Sequence, residues 1–213
     1  MPIKPPAPGK EPVAMSMDAA FRAAVAEGDE ISGGLFEDDC FEEIEAPLAD
    51  FEGCLFRRVT FCPTEVGRVH FVDCRFEGCD FSGFQLRDGT VRRCAFKDCR
   101  ASGAVFSRMT LRDVTFARCL MSYASLVECK LNAVSFDACG LEGALLHRCV
   151  QQGLALLDCR LTGAELAETL LKGVDLSTCV LDGLRAELRC LAGTRVSVLQ
   201  APAILGLCGI EVT

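Results

Sequence analysis

The sequence predicts an all-β fold, a four-sided parallel β-helix of about eight coils, from three observations. Apolar residues recur at every fifth position from residue 31 to residue 196. A small residue, most often Cys, stands two positions before many of them, and Gly often stands two positions after. A period of five matches neither an amphipathic helix, with a period of 3.6, nor a flat strand, with a period of two. It fits short strands separated by regularly repeated corners.

The column of every fifth residue is the strongest of these signals. Thirty-three of its 34 residues are apolar, and twelve of the fourteen Phe residues of the chain lie in it. Such a column is typical of a solenoid, in which stacked repeats bury one continuous core. Gln151 is the exception. It is interpreted either as a buried amide with satisfied hydrogen bonds or as a local bulge.

The size of one coil follows from a second periodicity, of twenty residues. Within the column, Phe recurs at Phe36, Phe56, Phe76, Phe96, Phe116 and Phe136. Four five-residue units per coil would stack these rings on one wall. Parallel strands stack about 4.8 Å apart, so the repeats predict a rod of roughly 40 Å. Gly is expected at the corners because it tolerates a positive φ.

The segment before the repeats is divided into two parts. Residues 1–15 are rich in Pro and are expected to be disordered. Residues 16–29 are expected to form a helical cap, with Ser16 as the N-cap. Phe21 and Val25, four residues apart, would lay that cap over the first coil.

The β-helix is expected to occupy residues 30–197, and the segment 198–213 leaves the five-residue pattern. This segment is too apolar to be left in water, and an uncovered solenoid end is an unpaired strand edge. It is therefore interpreted as a cap that closes the solenoid. A cap that also forms a dimer interface is an equal alternative. The candidate dimer-interface residues are Leu199, Ile204, Leu205, Leu207, Ile210 and Val212.

Charge is unevenly distributed along the chain. The net charge is −8, which argues against direct binding to nucleic-acid phosphates. Residues 27–52 carry eleven acidic and no basic residues, whereas residues 53–118 carry a net charge of +5. The acidic run is interpreted either as a charged surface that stays solvated or as a partner-binding face. The candidate residues of this acidic face are Glu37, Asp38, Asp39, Glu42, Glu43, Glu45, Asp50 and Glu52.

No catalytic residues, metal ligands or cofactor are predicted, so the chain is not expected to be an enzyme. Most of the fifteen Cys residues are five, ten or twenty apart and would not converge on a zinc ion. They are interpreted as reduced, apolar core residues. His70 and His147 are far apart in sequence. Apolar runs are too short to span a membrane, and Pro residues interrupt any signal peptide, so a cytoplasmic location is expected.

Units such as those in residues 71–83 and 156–168 resemble the pentapeptide-repeat family, whose repeats centre on Leu or Phe with Ala or Cys two before. This resemblance implies a right-handed quadrilateral β-helix. Members of similar size include the Qnr-type quinolone-resistance proteins, their mycobacterial counterpart and immunity proteins against topoisomerase poisons. They form homodimers through their C-terminal ends and bind DNA gyrase or topoisomerase IV, partly by DNA mimicry. Residues 207–212 are similar to their Leu-Gly-Ile-x-Val ending, with one inserted Cys.

The resemblance implies a type II topoisomerase as partner and protection of that enzyme from a quinolone or another poison. Two departures bear on this implication. The unbroken register leaves no room for the projecting loops of many Qnr-type proteins, unless the length of a loop is a multiple of five. The basic middle of the chain differs from a uniformly acidic DNA mimic. The alternative hypothesis is a structural protein-interaction module with a different partner.

Overall fold

The computed structural model describes residues 2–7, 9, 11–20, 22, 30–41, 48–62 and 68–211. These residues form a parallel β-helix in which a strand residue pairs with the residue twenty positions further on. Phe96 pairs with Phe116, and Phe116 pairs with Phe136. The predicted fold class, with about eight coils of four five-residue units, is confirmed.

Two of the four walls carry most of the regular strand pairing. The first wall begins with Ile31–Ser32, Leu48–Glu52 and Arg68–Val72. The second wall begins with Gly34–Glu37, Leu55–Arg57 and Arg75–Glu77. Four long strands then run around the corner between these walls: Gln85–Lys97, Thr110–Ala117, Lys130–Asp137 and Val150–Leu157.

The other two walls have shorter strands. The third wall contains Cys40–Phe41 and Thr60–Phe61, followed by single bridges from residue 80 to residue 180. The fourth wall contains the start of the first long strand and then Val105–Ser107, Ser125–Val127, Leu145–His147, Glu165–Ala167 and Arg185–Ala186. Every pairing between strands is parallel, as expected of successive coils that all wind in one direction.

The core is a stack of Phe rings on the second wall. The rings of Phe56 and Phe76 are 4.7 Å apart and 7° from parallel. The next pair, Phe76 and Phe96, are 4.4 Å apart and 5° from parallel. All three side chains are buried. The predicted stacking of Phe residues twenty apart is therefore confirmed, and each ring packs above and below against another ring.

The corners confirm the expected role of Gly. All eleven Gly residues two positions after a central residue have a positive φ, and so do sixteen non-Gly residues at the same position. Many of these non-Gly residues are charged and pair with the corner of the adjacent coil. Arg108 contacts Asp88 at 2.6 Å, and Arg118 contacts Asp98 at 2.7 Å. Exposed ion pairs of this kind add little stability individually.

One inward position interrupts the regular pairing. Between Arg87 and Thr90 the register with the preceding coil shifts. Gly89 lies at this shift and is buried, and a Cβ atom added to it would lie 2.1 Å from the carbonyl oxygen of Val69. The backbone of two coils therefore approaches so closely here that only Gly fits.

The start of the chain caps the first coil. Residues 17–20 and 22 are helical. Met17 is buried in the core, and its N–H donates to Asp39 Oδ2 at 2.8 Å. Phe21 and Val25, which were expected to cover the first coil, lie outside the described residues.

Part of the Pro-rich segment, which was expected to be disordered, lies within the described residues. The strand Val13–Ala14 pairs with Gly34–Leu35 of the second wall. Residues 2–7 follow the rod and donate two backbone hydrogen bonds to it. Composition alone suggested disorder because these residues cannot form a core of their own.

The other end is closed by short helical segments. They are the helix Leu188–Leu191, the 3₁₀-helix Val198–Gln200 and the helix Ala201–Gly206. Within the described ranges, no helix has the length and apolar character needed to cross a membrane.

Candidate functional site

The described part of the acidic face is partly neutralised by the next coil. Glu37 contacts Arg57 at 3.3 Å and Arg58 at 3.0 Å. Asp38 is held by Arg58 at 2.6 Å, and this hydrogen bond lowers the pKa of the Asp38 carboxyl. All three pairs join residues of adjacent coils. These two carboxylates therefore present less net charge than the acidic run implied.

The remaining members of the acidic face differ in their exposure. Asp39 is half-buried and accepts the N–H groups of Met17 and Cys40, each at 2.8 Å. Asp50 is half-buried, and its Oδ1 has no hydrogen-bond partner among the described residues. Glu52 is exposed. Glu42, Glu43 and Glu45 lie outside the described residues.

The C-terminal end combines an inward-packed cap with an exposed apolar surface. Ile204 and Leu207 pack against the core. Leu199 is 92% exposed, and its neighbour Val198, which sequence reasoning did not single out, is 89% exposed. The surface also includes Leu205 and Ile210, which are 37% and 50% exposed, and Val212 lies outside the described residues. Apolar exposure of this extent at one end is typical of an interaction site.

Gln200 holds the cap on the last coil. Its side-chain NH₂ donates to the carbonyl oxygens of Leu176 at 2.7 Å and Cys179 at 2.6 Å. Its Oε1 accepts the N–H of Ser197 at 2.7 Å. The amide thus satisfies two carbonyl groups that lie just beyond the bridge between Asp175 and Arg195. Sequence reasoning missed this role, and the Ser197-x-x-Gln200 spacing of a capping box was the available signal.

The predicted Cys columns lie inside the rod. All fifteen Cys residues are described and none forms a disulfide. Column thiols donate to backbone carbonyls, such as Cys54 Sγ to the oxygen of Ile31 at 3.3 Å. Burial raises the pKa of the Cys74 thiol well above its usual value. The buried Cys74 thiol is therefore a poor nucleophile.

The Cys residues off the columns differ from one another. Cys190 is buried and Cys208 is exposed. Cys40 and Cys62 are half-buried on adjacent coils, with their sulfur atoms 3.2 Å apart. The repeat pattern did not predict this contact, because the two residues occupy different positions within their five-residue units.

Gln151 is an amide with satisfied hydrogen bonds, but it is half-buried and not buried as the first interpretation expected. Its side-chain NH₂ donates to the carbonyl oxygens of Leu170 and Lys172, each at 3.2 Å. Its Oε1 accepts the N–H of Leu154 at 3.3 Å. Within the described part of the chain, the first wall has no strand in the next coil, so Val150–Leu157 has no strand partner on that side. The hydrogen bonds of the Gln151 amide stand in place of that pairing. A surface pocket of about 620 Å³ opens beside it, lined in part by Val150 and Leu170.

The two histidines lie on different walls of the rod. His70 lies on the first wall, whereas His147 lies on the fourth wall, 3.6 Å from Glu168. Within the described ranges, no group of three or more His, Cys, Asp or Glu side chains could hold a metal ion. The described surface of the rod has charged corners and an apolar C-terminal end. This arrangement suits binding to another macromolecule.

Comparison with known proteins supports the repeat assignment. The family model of the pentapeptide repeat region matches residues 69–146 and again residues 89–166. The two matches start twenty residues apart, which is one coil. No curated protein is significantly similar to the chain in sequence.

Several solved structures resemble the chain at low identity. A trypsin-treated variant of QnrB1, a plasmid-mediated fluoroquinolone resistance protein, is 17% identical with a TM-score of 0.42, over 84% of this chain and 97% of that chain. HetL, involved in heterocyst differentiation regulation in the cyanobacterium Nostoc sp. strain PCC 7120, is 13% identical with a TM-score of 0.27, over 85% of this chain and 94% of that chain.

Rfr23, from the cyanobacterium Cyanothece 51142, is 21% identical with a TM-score of 0.26, over 51% of this chain and 64% of that chain. With TM-scores below 0.5, none of these likenesses carries an argument about function. Residues 69–166 match the family model of the pentapeptide repeat region, with the coil geometry that such repeats require. The resemblance to the pentapeptide-repeat family that the sequence indicated is therefore confirmed.

Proposed function

We propose that the chain binds a type II topoisomerase, DNA gyrase or topoisomerase IV, and protects it from a quinolone or another topoisomerase poison. The observation that carries this proposal is the shape and charge of the rod. Its core is apolar, its corners are charged, and the chain carries a net charge of −8. A stack of about eight coils is roughly 40 Å long, the length of about 12 base pairs of duplex DNA. Such a rod could occupy a DNA-binding groove and destabilise the poisoned cleavage complex.

A supercoiling assay tests this proposal. Purified gyrase is inhibited with ciprofloxacin, and the chain is added at increasing concentration. Topoisomerase IV is tested in the same way in a decatenation assay. We expect enzyme activity to recover, with inhibition at high concentration as the rod competes with DNA. If the chain affected none of the type II topoisomerases tested, the proposal would be overturned.

The acidic end can be tested in the same assay. Replacing Glu37 and Glu52 with Gln removes two charges of the acidic face, and we expect protection to need about tenfold more protein. The matched control is Asp182→Asn, an exposed carboxylate near the other end, which should leave protection unchanged. Equal potency of both variants would show that the acidic face is not the contact surface.

The alternative function, a structural interaction module with a different partner, is favoured by one observation. Glu37 and Asp38 are paired with arginines of the next coil, which weakens the resemblance to an acidic DNA backbone. Under this alternative the chain has no effect in the supercoiling assay, and its apolar end still associates.

We also propose that the chain forms a homodimer through its C-terminal end. The double variant Val198→Ser/Leu199→Ser is expected to convert the dimer to a monomer without loss of the fold, because both side chains are almost fully exposed. Light scattering after size exclusion measures this change. The control is Val150→Ser, which removes a 70% exposed apolar side chain from the first wall and should leave the dimer intact. A native chain that is monomeric, or a double variant that stays dimeric, contradicts the proposal.

A further inference from the structure

Residues 2–7 lie along one corner of the rod. The N–H of Lys4 donates to Asp113 Oδ1 at 3.1 Å, and the N–H of Ala7 donates to Asp73 Oδ1 at 2.9 Å. Asp73 and Asp113 occupy the same corner, two coils apart. The segment therefore runs parallel to the rod axis, towards the first coils, where Val13–Ala14 joins the second wall.

The spacing of these contacts matches a polyproline II helix. Three residues of this helix rise about 9 Å, and two coils of the rod rise about 9.6 Å. Pro5 and Pro6, between the two donors, favour this conformation. The helix has three residues per turn, and exposure follows that period, since Ile3 and Pro6 are half-buried while their neighbours are exposed.

The two acceptor carboxylates are unusual among the corner residues. The side chains of Asp73 and Asp113 are 9% and 12% exposed, whereas those of Asp88 and Asp98 are 46% and 51% exposed. All four residues have nearly the same positive φ. The backbone is thus equivalent at these corners, and only the first two carboxylates contact residues 2–7. Asp73 is also oriented by Arg93, whose Nε donates to its Oδ1 at 2.7 Å.

We propose that the corner carrying Asp73 and Asp113 is a binding site for an extended, proline-rich peptide, filled in this chain by its own residues 2–7. The site recognises free backbone N–H groups three residues apart and the half-buried apolar residue that precedes each of them. Proline between these positions pre-orders the peptide and lowers the entropy cost of binding. The covalent tether keeps the site filled, because it supplies a high effective concentration of the segment. A proline-rich segment of a partner must displace it.

The first test measures amide hydrogen exchange in the full chain by NMR. The test variant is Asp73→Gly/Asp113→Gly, which removes both acceptors at corners where Gly is readily accommodated. The control is Asp88→Gly/Asp98→Gly, which has nearly the same φ values and likewise loses two Arg contacts. We expect the Lys4 and Ala7 amides to exchange about tenfold more slowly in the native chain and in the control than in a synthetic peptide of residues 1–12. The test variant should lose this protection.

The second test asks whether the corner binds a peptide that is not tethered to it. The full-length variant Pro5→Gly/Pro6→Gly, with a weakened segment of its own, is titrated with the synthetic peptide of residues 1–12. We expect saturable chemical-shift changes at the amides of Asp73, Arg93 and Asp113, and none when Asp73 and Asp113 are also replaced with Gly. Unprotected Lys4 and Ala7 amides in the native chain, or no saturable shift at millimolar peptide, would overturn the proposal.

Discussion

Replacing Phe96 with Ala is expected to lower the free energy of unfolding by about 3–5 kcal/mol. Phe96 is 5% exposed, and its ring lies 4.4 Å from the ring of Phe76 and 4.7 Å from the ring of Phe116. The substitution removes both stacking contacts and leaves a cavity enclosed by backbone on four walls. Because strand pairing fixes each wall to the coils on either side, the coil cannot collapse to fill it.

Urea unfolding followed by circular dichroism measures this effect. The control is Tyr123→Ala, which removes an aromatic side chain that is 73% exposed at a corner, and its effect should stay within about 0.5 kcal/mol. If Phe96→Ala unfolded at the same urea concentration as the native chain, the stacked core would be wrong.

The second large effect is expected for Gly89→Ala, which should destabilise the chain by about 3 kcal/mol. A Cβ atom at this position would lie 2.1 Å from the carbonyl oxygen of Val69 and 3.0 Å from the terminal carbon of Met109. The Met109 side chain can move, but the Val69 carbonyl belongs to the paired backbone of the preceding coil. The two coils must separate locally, which also strains the hydrogen bonds on either side of the register shift.

Gly206→Ala is the matched control for this substitution. A Cβ atom at Gly206 has no atom within 4 Å, and the residue ends the helix Ala201–Gly206. Ala is expected to be neutral or slightly stabilising there, by up to about 1 kcal/mol. The two Gly→Ala changes should therefore shift the urea midpoint unequally, with a large decrease for Gly89 alone. Similar midpoints for the two variants would contradict the close approach of the coils.

The walls of the rod could be predicted from the sequence because the apolar and small residues of each five-residue unit indicate which side chains face inward. Phe56 and Phe76 stack as the twenty-residue spacing required. Gly89 could not be singled out in this way. The inward position two before a central residue accepts any small side chain in most coils, and the need for Gly arises only from the register shift beside Val69.

The candidate surfaces were less predictable than the core, because they depend on contacts between coils and at the ends. The acidic run gave the position of Glu37 and Asp38 but not their pairing with Arg57 and Arg58 in the next coil. Gln200 acts as an anchor only because the last coil leaves carbonyl oxygens without strand partners. The contacts of residues 2–7 join positions more than sixty residues apart, and no local pattern encodes them.

The most direct measurement of the central claim is a set of through-space NMR contacts in a uniformly labelled chain. We expect contacts between each strand residue and the residues twenty positions before and after it. The ring of Phe116 should contact the rings of Phe96 and Phe136, whose centres lie 4.7 Å and 4.8 Å away. A dominant sequence separation other than twenty would contradict the four-sided coil, and with it the placement of both ends and of every corner discussed above.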